Sequence, residues 1–166
     1  MGEDTVPALA DAFPEVRTLG DALRAAHRTV AVAESCTGGL LGAALTAFPG
    51  SSDFLLGGVI AYADDAKVTQ LGVTREALAA HGAVSEEVAT QMADGARLIF
   101  GADIGLAITG VAGPGPERDG KPAGLVFVAL AADDGNEVIR LDGDQGREGN
   151  RARAMREALR LSQGHT

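Results

Sequence analysis

The sequence predicts a three-layer α/β/α sandwich built on a mixed, mostly parallel central sheet of about five strands. Three observations carry this. Short β-branched runs alternate with stretches of helical apolar spacing, which is the pattern of an α/β chain. Two late strands are joined by the short turn Asp133 to Asn136, which favours a hairpin and makes the sheet mixed. The chain has 166 residues of which 46% are hydrophobic, enough to bury one sizeable core, so residues 1–166 are expected to form one domain with a loose N-terminal end at about 1–7.

Element by element, apolar residues recur at helical spacing from Leu9 to His27, with Pro14 and Gly20 expected to break the stretch. Thr29 to Ala33 reads as the first strand, running through Glu34 to Gly39 into an Ala- and Leu-rich helix. Gly57 to Ala63 is the second strand and Asp65 to Leu71 a short helix closed by Gly72, after which Thr74 caps another helical turn. Ser85 supplies an N-cap and Glu86 and Glu87 two carboxylates at a helix start, with Val88, Met92, Gly95 or Ala96, and Ile99 as the inner stripe. Ile104 to Thr109, Gly124 to Ala131 and Glu137 to Leu141 complete the strands. A last helix spans about Glu148 to Leu161, with Ala152, Met155 and Leu159 inward and Arg151, Arg153, Arg156 and Arg160 expected to be largely solvated.

The formal net charge of -9 argues against a protein that holds nucleic acid, because that affinity comes from clustered Lys and Arg. Aromatic residues make up only 4%, too few for a base-stacking surface, so a small-molecule ligand fits better. Apolar stretches fall well short of the roughly 18 to 20 residues a membrane span needs. The acidic N-terminus has no secretory signal pattern, and the single cysteine, Cys36, cannot form an internal disulfide. A cytoplasmic protein is expected, with no membrane partner and no metal site.

Three segments can carry chemistry. Glu34-Ser35-Cys36-Thr37-Gly38-Gly39 lies where a strand enters a helix, a junction that can present N–H groups to an anion but can equally be an ordinary capped turn. Cys36 lacks a recognisable His partner and reads as packing, while Ser35 needs a base that no Ser, His and Asp order supplies. Tyr62-Ala63-Asp64-Asp65-Ala66-Lys67 offers a lysine, which can deprotonate a serine only if burial or a nearby cation lowers its pKa. On composition alone, Lys67 reads as a solvated helix residue and Tyr62 as half-buried. Thr109 to Pro116 is a Gly- and Pro-rich loop after an apolar strand, able to cradle a phosphate but without P-loop or dinucleotide spacing.

Taken in order, AESCTGG at 33–39, PGSSDFLLGGVIAYADDAKVTQLGV at 49–73, HGAVSEEVA at 81–89, and ITGVAGPGP with KPAGLVFVAL at 108–130 resemble the CinA C-terminal family, over roughly residues 15–163. The resemblance implies a mixed α/β/α domain that hydrolyses the carboxamide of nicotinamide mononucleotide to nicotinate mononucleotide and ammonia. It implies Ser35 as nucleophile, Lys67 as base and Tyr62 as proton relay or orienting group. Thr37, Gly38 and Gly39 are expected to supply oxyanion donors, and Thr109, Gly110, Ala112 and Gly113 to meet the phosphate. No metal or organic cofactor is required, and a homodimer is expected. The alternative is a non-catalytic, competence- or damage-associated regulatory module that binds a pyridine nucleotide or a protein partner. Too few residues precede the motif to hold the family's frequent N-terminal domain, so no pyrophosphatase activity is expected. The family's late Gly-Asp-Arg segment stands here as Gly143-Asp144-Gln145-Gly146-Arg147, with two extra residues, which leaves Arg147 without an assigned role.

Overall fold

A computed structural model describes residues 8–166; the loose end expected at 1–7 lies outside the described residues. Five strands form one sheet: β1 (Val30–Glu34), β2 (Leu55–Ile60), β3 (Ile104–Gly110), β4 (Val126–Ala132) and β5 (Gly135–Leu141), in the order β2-β1-β3-β4-β5. β1 runs parallel to β2 and to β3, whereas β3 to β4 and β4 to β5 are antiparallel. The expectation of a mostly parallel sheet is corrected here: parallel and antiparallel pairings are equal in number. The physical reason is the link between β3 and β4, a loop with no helix to carry the chain back for a parallel return.

Helices cover both faces. On one lie α1 (Leu9–Ala12), α2 (Glu15–Ala26), α3 (Leu40–Leu45) and α7 (Gly146–Gln163); on the other lie α4 (Asp64–Leu71), α5 (Arg75–His81) and α6 (Glu86–Phe100). The strands themselves assign these faces. Val30, Val32, Ile104, Leu106, Ile108, Val126, Val128 and Leu130 point to the first, while Ala31, Ala33, Ala107, Ala129 and Ala131 point to the second. Large residues on one face and, apart from Phe127, small ones at the sheet's centre on the other let α6 come very close to the sheet. A Cβ on Gly105 would stand 2.1 Å from the Ala93 carbonyl oxygen, and one on Gly95 would stand 2.0 Å from that of Leu71, at the end of α4. α4 is thus seated tightly against α6, and α4 carries Lys67.

Most helix ends follow local chemistry. Thr74 Oγ1 accepts from the Ala77 N–H and Ser85 Oγ from that of Val88, each capping its helix as expected. Three expectations fail. Gly20 does not break its helix, since α2 runs through it and its bare Cα lets the Phe54 ring pack close. Ile99 is 53% exposed, because the α6 stripe that meets the sheet runs through Val88, Met92, Ala93 and Ala96 and has turned away by the last turn. Two of the α7 arginines are not largely solvated: Arg151 donates to the Thr37 carbonyl and Arg153 to those of Gly124, Asp142 and Gly143, while Arg156 lies over the Phe13 ring. Arg151 and Arg153 are the partly buried pair, whereas Arg156 and Arg160 are exposed as expected, paired with Glu15 and Glu157 respectively.

Candidate functional site

The three parallel strands β2, β1 and β3 end at the same edge of the sheet, and the chain leaves β1 and β2 toward opposite faces, through α3 and through α4 respectively. A crevice outside such strand ends, where the winding reverses, is where ligands collect in open α/β sheets. Here it is a cleft of about 740 Å³, lined by the residue after β1 (Ser35), the residues after β2 (Tyr62 to Asp64), Lys67, the end of β3 and the loop beyond it, and Arg147.

Ser35 is held in place from its own main chain, whose N–H donates to the Ile108 carbonyl as though β1 continued one residue. The chain then turns through Gly38 and Gly39, both in the left-handed region at φ 59° and 99°, a pair of conformations that a side chain would strain. Glu34 anchors that turn. Its buried carboxylate accepts from the N–H groups of Gly39, Leu41 and Gly42, so it occupies the N-terminus of α3.

Two of the three expected oxyanion donors are engaged within the turn itself. The Gly39 N–H is spent on Glu34 and that of Gly38 on the Ser35 carbonyl, and neither glycine lines the cleft. Thr37 is also absent from the cleft wall, fully buried with a hydroxyl that finds no partner among the described residues. An internal carboxylate has taken the place that the motif seemed to hold open for a ligand.

Lys67 is 1% exposed, the largest charged side chain so buried in this structure. Its Nζ lies 3.1 Å from Ser35 Oγ, 3.2 Å from the Tyr62 carbonyl oxygen and 3.9 Å from Asp64 Oδ1. Burial lowers its pKa, and the nearby Asp64, Cys36 and Glu117 oppose that shift. A lysine driven toward its neutral form and in contact with a serine hydroxyl can accept that hydroxyl's proton. The reading of Lys67 as a solvated helix residue therefore fails, because α4 points this side chain inward at the strand ends.

Tyr62 is 59% exposed. It reaches Lys67 through its carbonyl oxygen, while its hydroxyl accepts from Arg147 across 3.3 Å. Arg147 also donates to the Gly113 carbonyl, so it bridges the two walls of the cleft. Sequence reasoning left Arg147 unassigned, and its only signal was its place in the late Gly-Asp-Arg segment. Of the four residues expected to meet a phosphate, Thr109, Gly110, Ala112 and Gly113 all line the cleft, although the Thr109 hydroxyl is already donated to the Ala83 carbonyl.

Cys36 is buried beside Ser35, and burial, with the Glu34 charge adding to it, pushes its thiol up to about 11. It stays protonated at neutral pH and is a poor nucleophile. Among the described residues no three His, Cys, Asp or Glu side chains gather as a metal-binding group, and no helix is long and apolar enough to cross a membrane.

This arrangement can be set beside known proteins. The CinA C-terminal domain matches residues 14–165. The chain belongs to the CinA C-terminal domain family. A CinA-like protein of Synechococcus is 53% identical over 141 residues, 84% of this chain, and one of Gloeothece citriformis is 50% identical over 134 residues, 81% of it. The chain spans only 34% and 32% of the length of those relatives. Among solved CinA-superfamily structures, the competence/damage inducible protein CihA of Agrobacterium tumefaciens superposes with a TM-score of 0.88 at 37% identity. That match covers 97% of this chain and 98% of the other. The competence-damaged protein (CinA) superfamily protein of Escherichia coli gives 0.88 at 33% identity, with 98% and 99% covered. The mixed five-stranded sheet is thus the CinA superfamily fold.

Proposed function

We propose that this CinA-family chain is an amidohydrolase acting on nicotinamide mononucleotide, with Ser35 as nucleophile and Lys67 as its base. The observation that supports it most is the buried Lys67 Nζ at 3.1 Å from Ser35 Oγ. Neutral Lys67 takes the Ser35 proton as Oγ attacks the amide carbon, giving a tetrahedral intermediate. Collapse breaks the C–N bond, and the nitrogen leaves as ammonia with the proton returned from Lys67. Lys67 then draws a proton from water, which attacks the acyl-Ser35 ester, and returns that proton to Ser35 Oγ as the C–O bond breaks and nicotinate mononucleotide is released.

Tyr62 fits an orienting role better than a direct relay to Ser35. Because its hydroxyl oxygen accepts from Arg147, its own proton is free to face a ligand, and the guanidinium makes it a stronger donor. With the Gly38 and Gly39 N–H groups engaged, Tyr62 and Arg147 are polar groups of the cleft wall able to meet charge developing on the substrate. Arg147, beside the Gly113 loop, is also suited to the phosphate. A cytoplasmic setting suits such a reaction.

The test is ammonia release from nicotinamide mononucleotide by purified protein, with both nucleotides quantified and Ser35→Ala as control. Serine-dependent formation of nicotinate mononucleotide is the expected result. Folded protein that yields neither product would end this reading.

A further inference from the structure

Asp64 and Glu117 both line the cleft, and the charges of both act on the buried Lys67. Distances of 3.1 Å from Lys67 Nζ to Ser35 Oγ and 3.9 Å from Nζ to Asp64 Oδ1 put that carboxylate at most about 7 Å from the nucleophile, inside the range of unscreened attraction. Their neighbours leave these two carboxylates uncompensated. Asp65 pairs with Arg75 and Asp119 with Lys121, but Asp64 has Lys67 as its one ion-pair partner among the described residues. Glu117 accepts from the Arg118 N–H and makes no ion pair among them.

A base must be uncharged before it acts. When Lys67 is neutral, Asp64 loses its ion-pair partner and stands as an unpaired carboxylate near Ser35, and Arg118 and Arg147 are the cations left among the cleft-lining residues. Arg147 is tied to the Tyr62 hydroxyl and the Gly113 carbonyl and makes no ion pair with Asp64 or Glu117 among the described residues, so it does not neutralise them directly. Asp64 is largely exposed in the empty cleft, where water weakens its field. A ligand that displaces this water strengthens it.

From this charge arrangement we infer that Asp64 and Glu117 make the site selective for carboxamides borne on a cationic ring, an inference that rests on the deamidase reading. An amide carbon under attack sits about 3 to 3.5 Å from Ser35 Oγ. The ring of a nicotinamide nucleotide is bonded directly to that carbon, and its quaternary nitrogen is separated from the substituted ring carbon by one ring atom. With the amide correctly placed, the positive charge therefore enters the cleft a few ångströms from Ser35, within the range of the Asp64 carboxylate. A neutral ring of the same shape reaches Ser35 without answering the two carboxylates, whose desolvation is then uncompensated.

The experiment measures binding by calorimetry in a Ser35→Ala background. The probes are nicotinamide mononucleotide and its chemically reduced, neutral-ring dihydropyridine form. The oxidised form is expected to bind about tenfold or more tightly than the reduced form. Asp64→Asn and Glu117→Gln should each narrow that preference, and together bring it within about twofold by weakening the oxidised form alone. Affinity for the reduced form is the internal control for folding. Equal binding of both forms by the parent, a preference that survives in the double variant, or loss of both forms alike would overturn the inference while leaving deamidation intact. Binding of neither form by the parent would overturn it together with the substrate reading.

Discussion

Lys67 Nζ and Ser35 Oγ are hydrogen-bonded at 3.1 Å, from residues 32 positions apart in the chain and with both side chains buried. Holding an amine this deep costs stability in its charged form, so the site and the fold pull in opposite directions. Lys67→Met should lower kcat by about 100-fold or more, the scale of a lost general base, while leaving the thermal midpoint equal or higher. The sign follows from protons. The folded pKa lies below the ordinary value near 10.5, so the unfolded chain binds this proton more tightly and the Lys67 penalty is complete below the folded pKa. As pH rises from the folded pKa toward 10.5 the penalty fades, and the midpoints of the two proteins should converge; a gap that widens with pH would contradict the burial argument.

The pH profile of kcat/KM should carry the same signature. Activity is expected to rise with a group that loses its proton well below 10.5, because that group must be neutral to accept from Ser35. Asp64 holds the ammonium and opposes the shift, so Asp64→Asn should move the rising limb to lower pH. A limb that stays in place in that variant would detach Asp64 from the base.

Adjacent residues should behave very differently. Ser35→Ala is expected to abolish turnover with the fold intact, whereas Cys36→Ala should keep most activity, because burial holds the Cys36 thiol protonated up to about 11. Iodoacetamide at pH 8 should likewise leave the native enzyme active. Rapid inactivation that Cys36→Ala prevents would reverse the assignment of nucleophile.

Elements were legible in the sequence wherever local rules decide them. The Thr74 and Ser85 caps, the break at Pro14 and the alternating strands need only neighbouring residues. Strand order and the equal split of pairing directions depend on how loops return the chain, and composition does not encode that. The candidate site shows the same division. Ser35, Tyr62 and Lys67 stand in recognisable motifs, but the contact of Ser35 with Lys67 depends on Gly95 admitting α4 against α6. Arg147 meets Tyr62 across 85 residues, and no spacing rule reaches that far. The Gly38 and Gly39 donors escape the sequence because a strand residue six positions before the first residue of a helix is not a usual capping position. Glu34 nevertheless folds back to fill that place.

Glu34 gives a stability test. Its carboxylate accepts three main-chain N–H groups while 1% exposed, and removing it strands those donors at the start of α3. Glu34→Ala should cost roughly 2 kcal/mol or more, read from the urea midpoint at unchanged slope. Glu34→Gln should fall between the two, since its amide keeps one acceptor oxygen but turns an NH2 toward a donor. A Glu34→Ala protein as stable as the parent would mean that water satisfies these groups and that the carboxylate is not an anchor.

Arg147 separates binding from chemistry. Its guanidinium donates to both the Gly113 carbonyl and the Tyr62 hydroxyl, so it can hold the ligand's anionic end and polarise Tyr62 together. Arg147→Lys keeps the charge but loses the fork that spans two acceptors. If Arg147 serves chiefly the phosphate, Arg147→Lys should raise KM by about tenfold with little change in kcat, and Tyr62→Phe should affect kcat more than KM. If the Tyr62 contact dominates, both variants should lower kcat, and the double variant should be no worse than Tyr62→Phe alone, because residues acting as one unit do not add. Additive losses in kcat would show that neither acts through the other and would remove Arg147 as the group that orients Tyr62.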